Sequence, residues 1–115
     1  MRLRNITGSK EMIAENEYVI HEPEQYKGRF TAEIFGNDRP LNIEIGTGKG
    51  RFITELAASD PSADYLGIEK YSTVLLKAVR KFSGNVLDNL RFIRMDAEYI
   101  LDVFGENEIN RIYLN

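Results

Sequence analysis

The chain has 115 residues, 43% hydrophobic and 29% charged, and its 18 acids against 15 Lys and Arg give a formal charge of −3. That is ordinary for one globular domain and excludes collagen-like, mucin-like and wholly disordered chains. With no cysteine and a single histidine, His21, the sequence has no disulfide framework, thiolate zinc site, cysteine nucleophile or histidine-rich metal cluster.

Met1 to Lys10 is polar, carries Arg2, Arg4 and Lys10 without an acid, and lacks the apolar stretch of a signal peptide. No apolar run approaches the ~20 residues a membrane span needs, so a cytoplasmic protein without a membrane partner is expected. Residues 1–40 read as a basic leader with a short helix, because Tyr26, Phe30 and Ile34 recur every four residues on one face. Gly36-Asn37-Asp38-Arg39-Pro40 then turns the chain.

Residues 41–115 are regular. Leu41 to Ile45 reads as a strand and is followed by the glycine loop Gly46-Thr47-Gly48-Lys49-Gly50. Phe52, Ile53, Leu56 and Ala57 form an apolar helix stripe that Asp60-Pro61 stops. Tyr65 to Ile68 is a second strand. Ser72 is placed to cap the next helix, with Val74, Leu75, Ala78, Val79 and Phe82 on one face and Gly84 in the left-handed position that ends it. The same helix carries the basic group Lys77, Arg80 and Lys81. Leu90 to Met95 is a third strand, a short helix holds Ile100, Val103 and Phe104, and Ile109 to Leu114 is a fourth strand. Strands alternating with helices predict a parallel sheet covered on both faces, a three-layer α/β/α sandwich.

In such a sheet ligands sit outside the carboxyl ends of the strands. The residues that end the strands are Glu44, Glu69, Asp96 and Asn115, and the three acids stand at successive strand ends beside the glycine loop. A carboxylate there costs free energy unless it is partnered. Arg51 occupies the position where the dinucleotide fingerprint needs its last glycine, and no Gly-Lys-Ser/Thr follows the loop. S-adenosylmethionine suits the acids: Glu69 is placed to accept the ribose hydroxyls, and Asp96 the adenine amine, with small Ala97 leaving room for the ring. Glu44 lies below the loop near the aminoacyl end. Tyr71 either flanks the adenine or packs at the helix start. An acidic rim attracts a sulfonium cation and repels a pyrophosphate.

Several runs carry a resemblance. They are Arg2-Leu3-Arg4-Asn5, Pro23 to Gly28, Ile43-Glu44-Ile45-Gly46-Thr47-Gly48-Lys49-Gly50, Gly67-Ile68-Glu69, Met95-Asp96-Ala97 and Tyr113-Leu114-Asn115. Together they resemble bacterial tRNA (guanine-N7)-methyltransferases over essentially the whole chain. The resemblance implies a Rossmann-like fold cut after its fourth parallel strand, with residues 41–115 as the amino-terminal half of the cofactor domain. It implies S-adenosylmethionine as cofactor, with contacts at Glu44, Glu69 and Asp96 and with Gly46 and Gly48 in the loop, beside Ala97 as the room for the ring read above, and tRNA as substrate, methylated on a variable-loop guanine. Arg2 and Arg4 would form a phosphate-contacting arm. The family's catalytic aspartate is expected after Asn115, so no catalytic residue is assigned here and the chain alone is expected to transfer no methyl. The edge of the fourth strand is expected to recruit a second copy or to leave the chain poorly soluble. Two other classes stay open: a non-catalytic adenosylmethionine-binding module, and a nicotinamide-dependent oxidoreductase fragment, disfavoured by Arg51.

Overall fold

In the computed structural model, which describes residues 8–115, four parallel strands form one sheet in the order β3-β2-β1-β4. The strands are β1 (Leu41–Ile45), β2 (Asp64–Glu69), β3 (Leu90–Arg94) and β4 (Ile109–Leu114). The helices are α1 (Ser9–Ala14), α2 (Arg51–Ser59), α3 (Ser72–Phe82) and α4 (Ile100–Val103). Successive strand residues point to opposite faces, so each side of a parallel sheet needs its own apolar cover. Leu41, Ile43, Leu66, Ile68 and Ile93 pack on one side with Phe30, Val103 and Phe104. Tyr65, Leu90 and Phe92 pack on the other with Ile53 and Ala57 of α2 and Leu75, Val79 and Phe82 of α3. The molecule is a three-layer sandwich. Among the described residues no helix is long and apolar enough to cross a membrane.

The register sets the strand ends side by side, with Ile45 opposite Ile68 and Glu69 opposite Arg94. The outer edge of β3 is covered by residues 18–20: Ile20 N donates to Phe92 O at 2.8 Å, and Phe92 N to Tyr18 O at 3.0 Å. β4 lies at the opposite edge, with Ile112 and Leu114 exposed.

Three local expectations are corrected. Tyr26, Phe30 and Ile34 do meet in one core cluster. They arrive there on a 3-10 turn, Pro23–Tyr26, and a π-helical turn, Thr31–Phe35, because Gly28 between them is left-handed at φ 79°. Ser72 does not cap α3: Tyr71 is the cap residue, and the Ser72 hydroxyl instead lies 3.0 Å from that of Ser9 on α1. Gly84 is not left-handed either. Ser83 stays right-handed, and the Gly84 and Asn85 amides donate to Lys81 O and Phe82 O, which winds the helix tighter rather than reversing it.

Candidate functional site

The loop after β1 folds back over the sheet edge because the amides of Gly46 and Thr47 both donate to Ile68 O at 2.9 Å. Gly48 has φ 59°, and no atom lies within 4 Å of where its Cβ would stand, so the backbone angle, not crowding, calls for glycine there. Gly67 shows the reverse constraint. A Cβ on it would lie 2.9 Å from Phe92 Cδ1 and 3.0 Å from Thr47 Oγ1.

The three acids stand at the carboxyl ends of adjacent strands but turn to different partners. Glu44 is 2% exposed, and its Oε1 accepts from the Thr47 hydroxyl at 2.6 Å. Burial pushes its carboxyl above the ordinary range, opposed by the Thr47 bond. Glu69 is also buried; its Oε1 accepts from Gly48 N at 2.9 Å and its Oε2 from Tyr71 N at 3.1 Å. Asp96 is half-buried, accepting from Glu98 N at 3.0 Å and lying 3.2 Å from Lys70 Nζ. The Glu98 amide first, and Lys70 second, hold its carboxyl below the usual range. Ala97, half-buried, opens a 3-10 turn directly after it.

Two cavities flank this rim. One, about 460 Å³, is lined by Lys70, Tyr71, Met95 and Asp96, with Lys10 of α1 at its wall. The other, about 540 Å³, is lined by Thr47, Gly48, Phe52 and Asn115. Glu69 lies on neither lining, but its two amide donors do: Tyr71 lines the first cavity and Gly48 the second. Each carboxylate oxygen has two acceptor directions, and the backbone amides use one on each, which leaves Glu69 able to accept two more donors. Glu44 lies under the loop rather than on either cavity wall. Arg2 and Arg4 lie outside the described residues. Exposed His21 sits with its ring Nε2 3.1 Å from Asn16 O. Among the described residues no group of His, Asp and Glu is arranged to hold a metal ion.

Sequence reading missed three participants, the Thr47 hydroxyl, the Tyr71 amide and the Lys70 ammonium. Asn115, at the end of the fourth strand, joins the site through its Nδ2, which donates to Gly46 O at 2.8 Å. Thr47 had a signal, a hydroxyl three residues past a buried strand acid. The Tyr71 amide had none, because backbone groups have no sequence code.

A family model described as "Putative methyltransferase" matches residues 38–115. The tRNA (guanine-N(7)-)-methyltransferase of Lachnoclostridium phytofermentans is 58% identical over 115 residues, covering 100% of this chain and 53% of the relative. A protein of the same name from a Geobacillus species is 53% identical, covering 100% of this chain and 52% of the relative. The chain thus spans about half the length of the curated relatives it matches. Among solved structures, an antibiotic-related methyltransferase superposes with a TM-score of 0.62 and 29% identity, over 76% of this chain and 45% of its own.

Proposed function

The chain belongs to this methyltransferase family, and from that premise we propose that it forms the cofactor-holding half of a tRNA (guanine-N7)-methyltransferase using S-adenosylmethionine. The observation that carries the reading is Glu69 held by one amide from the lining of each of two cavities, in a chain 58% identical along its length to a protein of that name. An adenosyl ligand has its ribose diol between the base and the aminoacyl arm, which matches a carboxylate with two free acceptor directions tied by its amide donors to the linings of both cavities. Asp96 and Tyr71 hold the base in the cavity they line, and small Ala97, directly after Asp96, leaves room for the ring. Gly46 and Gly48 admit the aminoacyl arm close to the backbone, and Glu44 keeps the floor beneath them acidic. Bound here, the cofactor supplies an activated methyl group on a cationic sulfur.

Guanine N7 already carries an in-plane lone pair, so the acceptor needs no deprotonation. The protein's contribution is then proximity and alignment, worth up to ~7–11 kcal/mol in favourable cases. Arg2 and Arg4 contact tRNA phosphates, and their double alanine variant lowers tRNA affinity and its salt dependence. A tRNA-modifying role belongs in the cytoplasm. The open edge of β4 pairs with a further strand, which a second copy of this chain supplies when it is alone in solution. Sedimentation across a concentration series reads this, and a monomer at every concentration speaks against it.

Calorimetry with S-adenosylhomocysteine and with NAD tests the cofactor reading. The expected result is saturable binding of the first and none of the second, and the opposite pattern overturns it.

A further inference from the structure

The described face between α2 and α3 carries a groove that the cofactor reading does not use. It encloses about 240 Å³, with Lys49 and Arg51 on one wall, Lys81 and Asn85 on the other, and Phe82 in its floor. Its single acid, Glu55, is matched to Arg51 at 3.3 Å, which leaves the charges of Lys49 and Lys81 uncompensated locally. Lys77 stands one turn before Lys81, so both lie on the same side of α3, and both are exposed. From Lys70 to Leu87 the sequence holds four cations and no acid. The chain as a whole has more acids than bases, so this segregation departs from the average surface rather than following it. The groove begins at Lys49, next to Gly48, whose amide holds Glu69. A polyanion lying in it is thereby led to the rim of the candidate site.

We propose that the α2–α3 groove, with Lys49, Lys77 and Lys81, is a docking track for the phosphodiester backbone of the substrate RNA. The inference rests on the tRNA reading above and extends it to a surface separate from the Arg2 and Arg4 arm. Ammonium groups on flexible stems suit repeated phosphates whose spacing need not match a rigid fork. Phosphate neutralisation releases counterions, so binding there weakens with salt in proportion to the contacts made.

The test is tRNA binding by the whole chain over a salt series, comparing wild type, Lys77→Ala/Lys81→Ala, and Arg29→Ala. Arg29 serves as the control because it is exposed and already paired with Glu33 at 3.0 Å. The double variant is expected to bind about tenfold more weakly near 0.1 M salt, with the log-log salt slope smaller by about one unit per lysine removed. Its melting midpoint should match wild type, because both side chains are solvent-exposed. Arg29→Ala should leave the slope unchanged. A double variant with wild-type affinity and slope overturns the docking track, and so does an equal loss in Arg29→Ala. If wild type itself binds no tRNA, the tRNA reading falls together with this one. If wild type binds and only the double variant's slope fails to change, the groove alone is refuted.

Discussion

The amide of Gly48 donates to Glu69 Oε1 at 2.9 Å, fastening the loop after β1 to the end of the neighbouring strand. A second amide, that of Tyr71, holds the other oxygen at 3.1 Å. Glu69 therefore orders both loops that border the candidate cavities before any ligand arrives. Hydrogen bonds to a charged group contribute about 1.5–3 kcal/mol each. Glu69→Ala is expected to reduce S-adenosylhomocysteine affinity by tenfold or more, as about 1.4 kcal/mol is a factor of ten. Calorimetry reads it, and an unchanged affinity removes Glu69 from the site.

Thr47→Val keeps the side chain's shape but leaves Glu44, 2% exposed, without its hydroxyl donor. An unsatisfied buried partner costs about 1–3 kcal/mol. The loss should be larger at pH values where the carboxyl has ionised, which burial moves upward, and smaller in acid, where it is neutral. Urea unfolding of Thr47→Val at two pH values checks this. An equal loss at both would mean that the hydroxyl contributes packing rather than a bond to charge.

Gly67→Ala places a methyl 2.9 Å from Phe92 Cδ1 and 3.0 Å from Thr47 Oγ1. Neither neighbour is a free surface end: Phe92 is fully buried and Thr47 holds Glu44. Overpacking of this kind costs about 1–3 kcal/mol. Thermal unfolding should show a lower midpoint, and the displaced Thr47 should weaken cofactor binding in the same variant.

Two carboxyls are pushed up by burial, Glu44 and Asp64, the second opposed by an Asn37 hydrogen bond and by the Arg39 charge. Asp64 is fully buried, and its Oδ2 has no hydrogen-bond partner among the described residues. The folded chain keeps these two protons at pH values where the unfolded chain has released them. Stability from these groups therefore falls as pH rises from the ordinary carboxylate range through the raised values, and is level above that. Asp64→Asn cannot titrate. Its urea midpoint should decline less than that of wild type across that window, and parallel curves for the two proteins would show that Asp64 does not carry the effect.

The strand and helix sequence was legible from residue pattern alone. Leu41, Ile43 and Ile45 alternate, Ile53 and Ala57 recur at helical spacing, and both signals are local, surviving whatever the chain packs against. The helix ends at Ser72 and Gly84 were misjudged for the opposite reason. Ser72 finds its partner 63 residues away on α1, and no nearby pattern encodes that meeting. The same holds for Tyr26, Phe30 and Ile34, whose shared burial survives a change of backbone because the core constrains the side chains more tightly than the turn type.

For the candidate site the division is sharper. By itself the sequence determined that the acids at 44, 69 and 96 follow strands and that a glycine loop lies beside the first, since the order of elements follows from periodicity. Only the tertiary structure decided what each carboxylate does: Glu44 turns inward to Thr47, Glu69 ties two loops together, and Asp96 pairs with Lys70. The reason is physical. A carboxylate's charge state and availability depend on burial and on donors brought within about 3 Å, and here those donors come from other loops and strand ends, set by the parallel register rather than by neighbours in the chain.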